Sequence, residues 1–168
     1  MYSAAGRSLC VCLLVLVSSS LCRAEKEWFA LDSNGVWRSF HTEAEWLKLG
    51  KEISPQQSAI LDRRAAYSLV TYYYFTESED WQYTDKYVFH ANGSLSKLER
   101  TFLSSSQRIK RIDTYKLNKL GEIQHVATHE VSVTTGKETS VSPEAPEIPI
   151  AKALNQMPFM KGNHEGKP

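Results

Sequence analysis

An α+β domain is what this sequence predicts: one or two helices packed on a twisted antiparallel meander of four to six strands. Three observations carry it. A capping box at Thr42-Glu43-Ala44-Glu45 opens a helix. From about Tyr67 the apolar period becomes two: Leu69 to Phe75, rich in Val, Thr, Tyr and Phe, opens a run of five consecutive short strand-like segments. Short turn signals separate them: Glu77-Ser78-Glu79-Asp80, Asn92-Gly93, Ser104-Ser105-Ser106 and Lys119 to Gly121.

The chain begins with a segment that reads as a secretory signal. Arg7 charges the n-region, Leu9 to Val17 is an unbroken apolar run of nine residues, and Cys22-Arg23-Ala24 presents a small-residue cleavage site before Glu25. Nine apolar residues fall short of the roughly 20 that a spanning helix needs, so no transmembrane span is expected in the mature chain. Cys10, Cys12 and Cys22 all lie in this segment. Residues 25–168 therefore carry no thiol, which excludes disulfides, thiolate catalysis and thiolate metal sites there. A cysteine-free exported domain fits a bacterial periplasm slightly better than an animal secretion. Lipid anchoring at Cys22 is disfavoured, because Leu21 is bulky where acylation signals carry a small residue.

Removal of residues 1–24 leaves 144 residues with 18 basic and 19 acidic side chains, a net charge of −1. One domain is the expectation at that length, with residues 25–136 as its body. Near-neutrality argues against nucleic acid as a partner. The densest basic run, Arg108 to Arg111, reads as a solvated strand edge.

Residues 26–40 predict a hairpin about Asn34-Gly35. The helix from Thr42 has Trp46, Leu47 and Leu49 on its apolar side and Gly50 as a stop. Ser54-Pro55-Gln56-Gln57 reads as a second helix start, with Ala59, Ile60 and Ala66 as its buried stripe. The meander follows over Leu69–Phe75, Tyr83–Phe89, Leu95–Leu103, Ile109–Leu117 and Glu122–Val133. Beyond Gly136, Pro143, Pro146, Pro149 and Pro158 mark residues 137–168 as a proline-rich tail. A short docked helix over 149–157 would carry Ile150, Leu154 and Met157.

A spaced pattern recurs three times. Aligning Gly35, Gly93 and Gly121 places Phe29, Tyr87 and Tyr115 six residues earlier. Leu31, Phe89 and Leu117 fall four earlier, and Trp37, Leu95 and Ile123 two later. Each copy reads as a hairpin whose apolar residues share one face. The copies resemble aromatic-rich Asn-Gly hairpins of bacterial cell-surface proteins. The helix-then-meander order is also similar to cystatin-like and nuclear-transport-factor-like cones, an architecture that implies no single function.

Two groups of residues are candidates for function. Tyr72, Tyr74, Trp81 and Tyr83 form the densest aromatic region and predict a binding surface for a small molecule, a glycan or an envelope protein. Asp85, Asp113, His125 and His129 are placed by strand parity on one sheet face with Arg111, Tyr73, Phe75, Tyr87, Phe89, Tyr115 and Val131. An Asp/His pair there is the weaker, catalytic candidate. The spacing of His125 and His129 would serve one metal on a helix. On a strand it separates them by about 13 Å, so neither a metal nor a cofactor is expected. Asn92-Gly93-Ser94 is also an N-glycosylation acceptor. No catalytic serine or phosphate-loop signature occurs. The leading expectation is an exported non-catalytic binding module; the alternatives are a small acid–base enzyme and a subunit of a cell-envelope assembly.

Overall fold

The three repeated hairpins set the frame of the sheet. At each, the residue three before the glycine accepts its N–H (Asp32, His90 and Asn118, at 3.0, 2.8 and 3.0 Å). The same residue's N–H donates to the carbonyl four positions on. Gly35, Gly93 and Gly121 sit at φ +76°, +81° and +74°. Only glycine takes that conformation without strain, and it closes a three-residue hairpin whose twist suits the strands. Leu31 and Trp37, Phe89 and Leu95, and Leu117 and Ile123 stand directly opposite each other. All nine patterned residues lie on one face of the sheet, here called the inner face.

The structure, a computed structural model, describes residues 25–53, 56–75, 80–139 and 148–161, with side chains omitted over 49–53. The proposed export segment and Cys22 lie outside the described residues, as do Ser54, Pro55, most of the acidic turn before Trp81, and the middle of the proline-rich stretch.

Eight antiparallel strands form one unclosed sheet: β1 (Glu25–Leu31), β2 (Trp37–Phe40), β3 (Gln57–Arg63), β4 (Tyr67–Phe75), β5 (Trp81–His90), β6 (Leu95–Ser104), β7 (Ile109–Leu117) and β8 (Ile123–Ser132). Their order is β2-β1-β3-β4-β5-β6-β7-β8. The architecture is broadly α+β as expected, with more strands than the four to six anticipated. All five segments of the expected meander are present. Helix α1 (Glu43–Ile53) joins β2 to β3 and so carries the chain across β1. Its capping box forms: the Glu45 N–H donates to Thr42 Oγ1 at 3.2 Å, and the Thr42 N–H to Glu45 Oε2 at 3.3 Å. The helix runs through Gly50 to Ile53, and Leu47 faces solvent.

The second expected helix is a strand. Gln57–Arg63 pairs with β1 on one side and β4 on the other. Ala59 and Leu61 are fully buried on the inner face, while Ser58 and Asp62 are buried on the outer one. Two ladders and two buried faces outweigh the weak helix preference of a proline start. The Ala-Ile-Leu run is the sequence signal for a strand buried on both sides.

The inner face is closed by the C-terminal segment. Lys137–Thr139 first folds back on the β8 edge, with the Thr139 N–H donating to the Glu130 carbonyl at 3.1 Å. Residues 148–151 then cross the sheet extended, and the isolated bridge Ser94↔Ala153 fastens them to the β5–β6 hairpin. A 3₁₀ turn, Leu154–Gln156, and a single helical turn, α2 (Pro158–Lys161), end the described chain. Met157 and Phe159 are buried to 1% and 0% exposure. Phe159 stacks on Phe29 at 4.5 Å and meets Trp37 edge-on at 5.9 Å. Among the described residues no helix is long and apolar enough to cross a membrane.

Phe159 thus seals the core against the first hairpin. Replacing it with alanine is expected to cost about 3–5 kcal/mol, read as a shift in the urea midpoint. Leu120→Ala, at an 82% exposed position, should stay within about 0.5 kcal/mol of the parent.

Candidate functional site

Strand β6 explains the polar floor of the inner face. Leu98, Arg100 and Phe102 share one parity, so a strand that buries Leu98 and Phe102 must also bury Arg100. Register places Asp85 of β5 and Asp113 of β7 on either side of it. Arg100 is bidentate to Asp85, Nε to Oδ1 at 2.8 Å and Nη2 to Oδ2 at 2.7 Å. Its Nη1 donates to the Ile148 carbonyl at 2.7 Å, which pins the crossing segment. The guanidinium also lies over the Tyr83 ring, 5.4 Å from its centroid, and the Tyr87 hydroxyl donates to Asp85 Oδ2 at 3.2 Å. Burial opposes the charge on Arg100, but the hydrogen bonds and field of Asp85 outweigh it and hold the group protonated above its ordinary range.

Towards β8 the polar ribbon continues. Arg111 Nε donates to Asp113 Oδ2 at 2.8 Å and stands 3.9 Å from Glu130. Thr128 donates its hydroxyl proton to Asp113 Oδ1 at 2.5 Å. With that proton committed, the Thr128 oxygen accepts from His125 Nε2 at 2.9 Å, and the same nitrogen is 3.3 Å from Asp113. Asp113 and Thr128 therefore meet one ring nitrogen. A hydrolytic triad needs the carboxylate on one nitrogen and the nucleophile on the other, so this arrangement fixes the histidine without activating the hydroxyl through it.

Strand parity places most of these residues correctly. Asp85, Asp113, His125, Arg111, Tyr83, Tyr87, Phe89 and Tyr115 do share the inner face. Tyr73 and Phe75 do not: pairing of Tyr72 with Asp85 and of Tyr74 with Tyr83 puts the even-numbered residues of β4 inside. His129 and Val131 also fall on the outer face. Val126 is an extra residue opposite Thr114 and Tyr115, and this bulge inverts the parity of everything after it. His129 is exposed and stands 3.6 Å from Glu138. The two histidines thus lie on opposite faces and cannot share an ion. Asp85 is committed to Arg100, leaving Asp113 and His125 as the single Asp/His contact among the candidates.

The aromatic candidates separate by burial. Tyr72 and Tyr83 are core residues at 8% and 4% exposure; Tyr72 gives its hydroxyl to Gln57 and packs on Trp37. Tyr74 and Trp81 are half-buried, with ring centroids 5.5 Å apart at 40°. They line a cleft of about 740 Å³ together with Pro149, Ile150 and Pro158 of the C-terminal segment. Across the segment 148–150 lies a second, more polar cleft of about 570 Å³, bordered by Arg100, Arg111, Asp113 and Tyr115. Sequence reasoning misses Arg100, Gln57 and Gln156, and the segment it expects as a docked helix over 149–157 turns helical only at Leu154–Gln156, with Ile150, Leu154 and Met157 packed on the core. For Arg100 a signal does exist, as a charged residue in the parity of Leu98 and Phe102.

Two consequences are measurable. Arg100→Ala and Asp85→Ala should each cost about 3–5 kcal/mol, because each leaves one buried charge without its partner. The double replacement Asp85→Leu/Arg100→Met should recover much of that loss in urea unfolding. Burial raises the tyrosine pKa values as well. Tyr83 is pushed up to about 12 by burial, with Arg100 acting against it; Tyr72 and Tyr87 are raised by burial and then by Asp85. Between the ordinary tyrosine value of 10.0 and about 12 the folded state binds more protons than the unfolded one, so stability falls as pH rises through that window. Tyrosinate absorbance at these residues should appear together with loss of near-ultraviolet circular dichroism.

Comparison with known protein families, with curated proteins and with solved structures finds no match for this chain.

Proposed function

We propose that the chain is an exported, non-catalytic binding module that holds a small molecule in the cleft between Tyr74, Trp81 and the crossing C-terminal segment. The observation that carries this reading is the half-buried pair Tyr74 and Trp81 on one wall of a 740 Å³ cleft. Its size falls in the usual range for small-molecule sites, about 300–1,000 Å³, which combine apolar walls with a few directed polar groups. Export rests on the signal-like segment Arg7 to Ala24. The likeness to cystatin-like and nuclear-transport-factor-like cones adds no functional weight of its own.

The acid–base alternative has one observation in its favour, the 3.3 Å approach of His125 to Asp113 at the rim of the polar cleft. The shared ring nitrogen and the ion pairing of Asp113 with Arg111 favour a structural role over catalysis. The envelope-assembly alternative needs a segment free to dock elsewhere, and Met157 and Phe159 are already committed to this core.

A thermal-shift screen of apolar, aromatic and glycan ligands tests the binding reading. At least one ligand should raise the melting temperature of the parent and leave folded Trp81→Ala unmoved. A hit that shifts parent and variant equally would assign binding to another place. A silent screen combined with hydrolase activity that vanishes in His125→Ala would favour the enzyme.

A further inference from the structure

We infer that the ligand of the aromatic cleft is an uncharged carbohydrate, stacked by one face of its ring on Trp81 and Tyr74. This rests on the binding reading above and names its chemical class. Three observations converge.

The first is shape. Trp81 and Tyr74 present two half-buried rings, 5.5 Å between centroids with planes at 40°, and Pro149 and Pro158 also line the cleft. A slot walled by flat rings accepts a flat-faced ligand. The C–H face of a pyranose is apolar and fits such a wall.

The second is the hydrogen-bond inventory. Among the described residues the Trp81 indole N–H and the Tyr74 hydroxyl have no partner. Gln57 uses its carbonyl oxygen to accept from Tyr72, and Gln156 uses its own to accept from the Lys152 N–H at 2.8 Å. Both amide NH₂ groups are left as donors at the cleft. Covering four donors with a purely apolar ligand would leave them unsatisfied, at about 1–3 kcal/mol each. A polyhydroxylated ring satisfies them at its edge while stacking by its face.

The third is charge. Asp85 at the cleft floor is matched by Arg100, and on the far side of the crossing segment Arg111 is matched by Asp113. An ionic ligand would meet no uncompensated counter-charge at the floor; Lys161 lies at the mouth, exposed. Paired charges favour a neutral, dipolar ligand.

The test titrates the full chain with cellotriose, maltotriose, xylotriose and triacetylchitotriose, followed by tryptophan fluorescence and calorimetry. A galacturonate trimer and Nile red serve as the anionic and apolar probes. At least one neutral trisaccharide should bind in the micromolar to millimolar range. Its affinity should not change between low and high salt, since no ion pair is made. Trp81→Ala, checked for folding by circular dichroism, should weaken it at least tenfold, and Trp81→Phe by less. Binding of Nile red that depends on Trp81, without binding of any neutral trisaccharide, would overturn the carbohydrate class and leave the small-molecule reading standing. A salt-sensitive preference for the galacturonate trimer would do the same. Failure of every probe to bind, or to sense Trp81, would overturn both.

Discussion

The contact between Asp85 and Arg100 holds the inner face together. Two charges sit under the crossing segment at 2% and 6% exposure, and the pair survives there because each of the three guanidinium nitrogens of Arg100 donates a hydrogen bond. Two go to one carboxylate, one to the Ile148 carbonyl, and the flat of the group rests on Tyr83. A buried ion pair seldom adds net stability over apolar replacements. Its effect here is positional. Pinning Ile148 fixes where residues 148–151 cross, and that line separates an aromatic cleft from a polar one. Without the guanidinium, the carbonyl of the crossing segment would lose its anchor, and both clefts their common wall.

The same constraint explains why the site and the core are inseparable. Tyr72 and Tyr87 line the aromatic cleft, yet belong to the hydrophobic cluster with Phe29, Phe89 and Phe159. Cysteine-free, the domain has no covalent staple over 25–168. Its stability rests on aromatic burial, about 25 cal/mol for each Å² of apolar surface removed from water. Of the two half-buried rings of the cleft, Tyr74 packs against that cluster and Trp81 does not, so Trp81 is the one that can change ligand contact without opening it. This is why a loss-of-binding experiment belongs at Trp81 rather than at Tyr72.

Much of the fold is legible in local patterns of the chain. The capping box, the three Gly-centred hairpins and the period-two segments each depend on contacts within a few residues, and each forms. What local patterns miss depends on contacts distant in sequence. Gln57–Arg63 has a respectable helix start, and only its position between β1 and β4 makes it a strand. Simple alternation puts His129 on the wrong face because one inserted residue, Val126, inverts the parity, and no local signal distinguishes Val126 from a paired residue. Tyr73 is misplaced for a related reason: parity across a turn depends on its length and geometry, not on composition. Of the candidate sites, the aromatic cluster is visible as density along the chain. The cleft is not, since half of its wall comes from residues 148–158.

The crossing segment also gives the prolines of the C-terminal stretch a physical role. An extended strap over a sheet face must leave backbone groups unpaired along part of its course, and proline removes donors that would otherwise be orphaned. Pro149 sits one residue past the carbonyl that Arg100 holds, and Pro158 opens the turn that carries Phe159 inward. Proline at these points also stiffens the unfolded chain, lowering the entropy lost when the strap docks. A strap so held is a fixed wall rather than a lid: Arg100 at one end and Phe159 at the other place it before any ligand arrives. A preformed wall lowers the ordering cost of binding. Two clefts with their walls in place suit the binding module proposed above, which would take a ligand without closing over it.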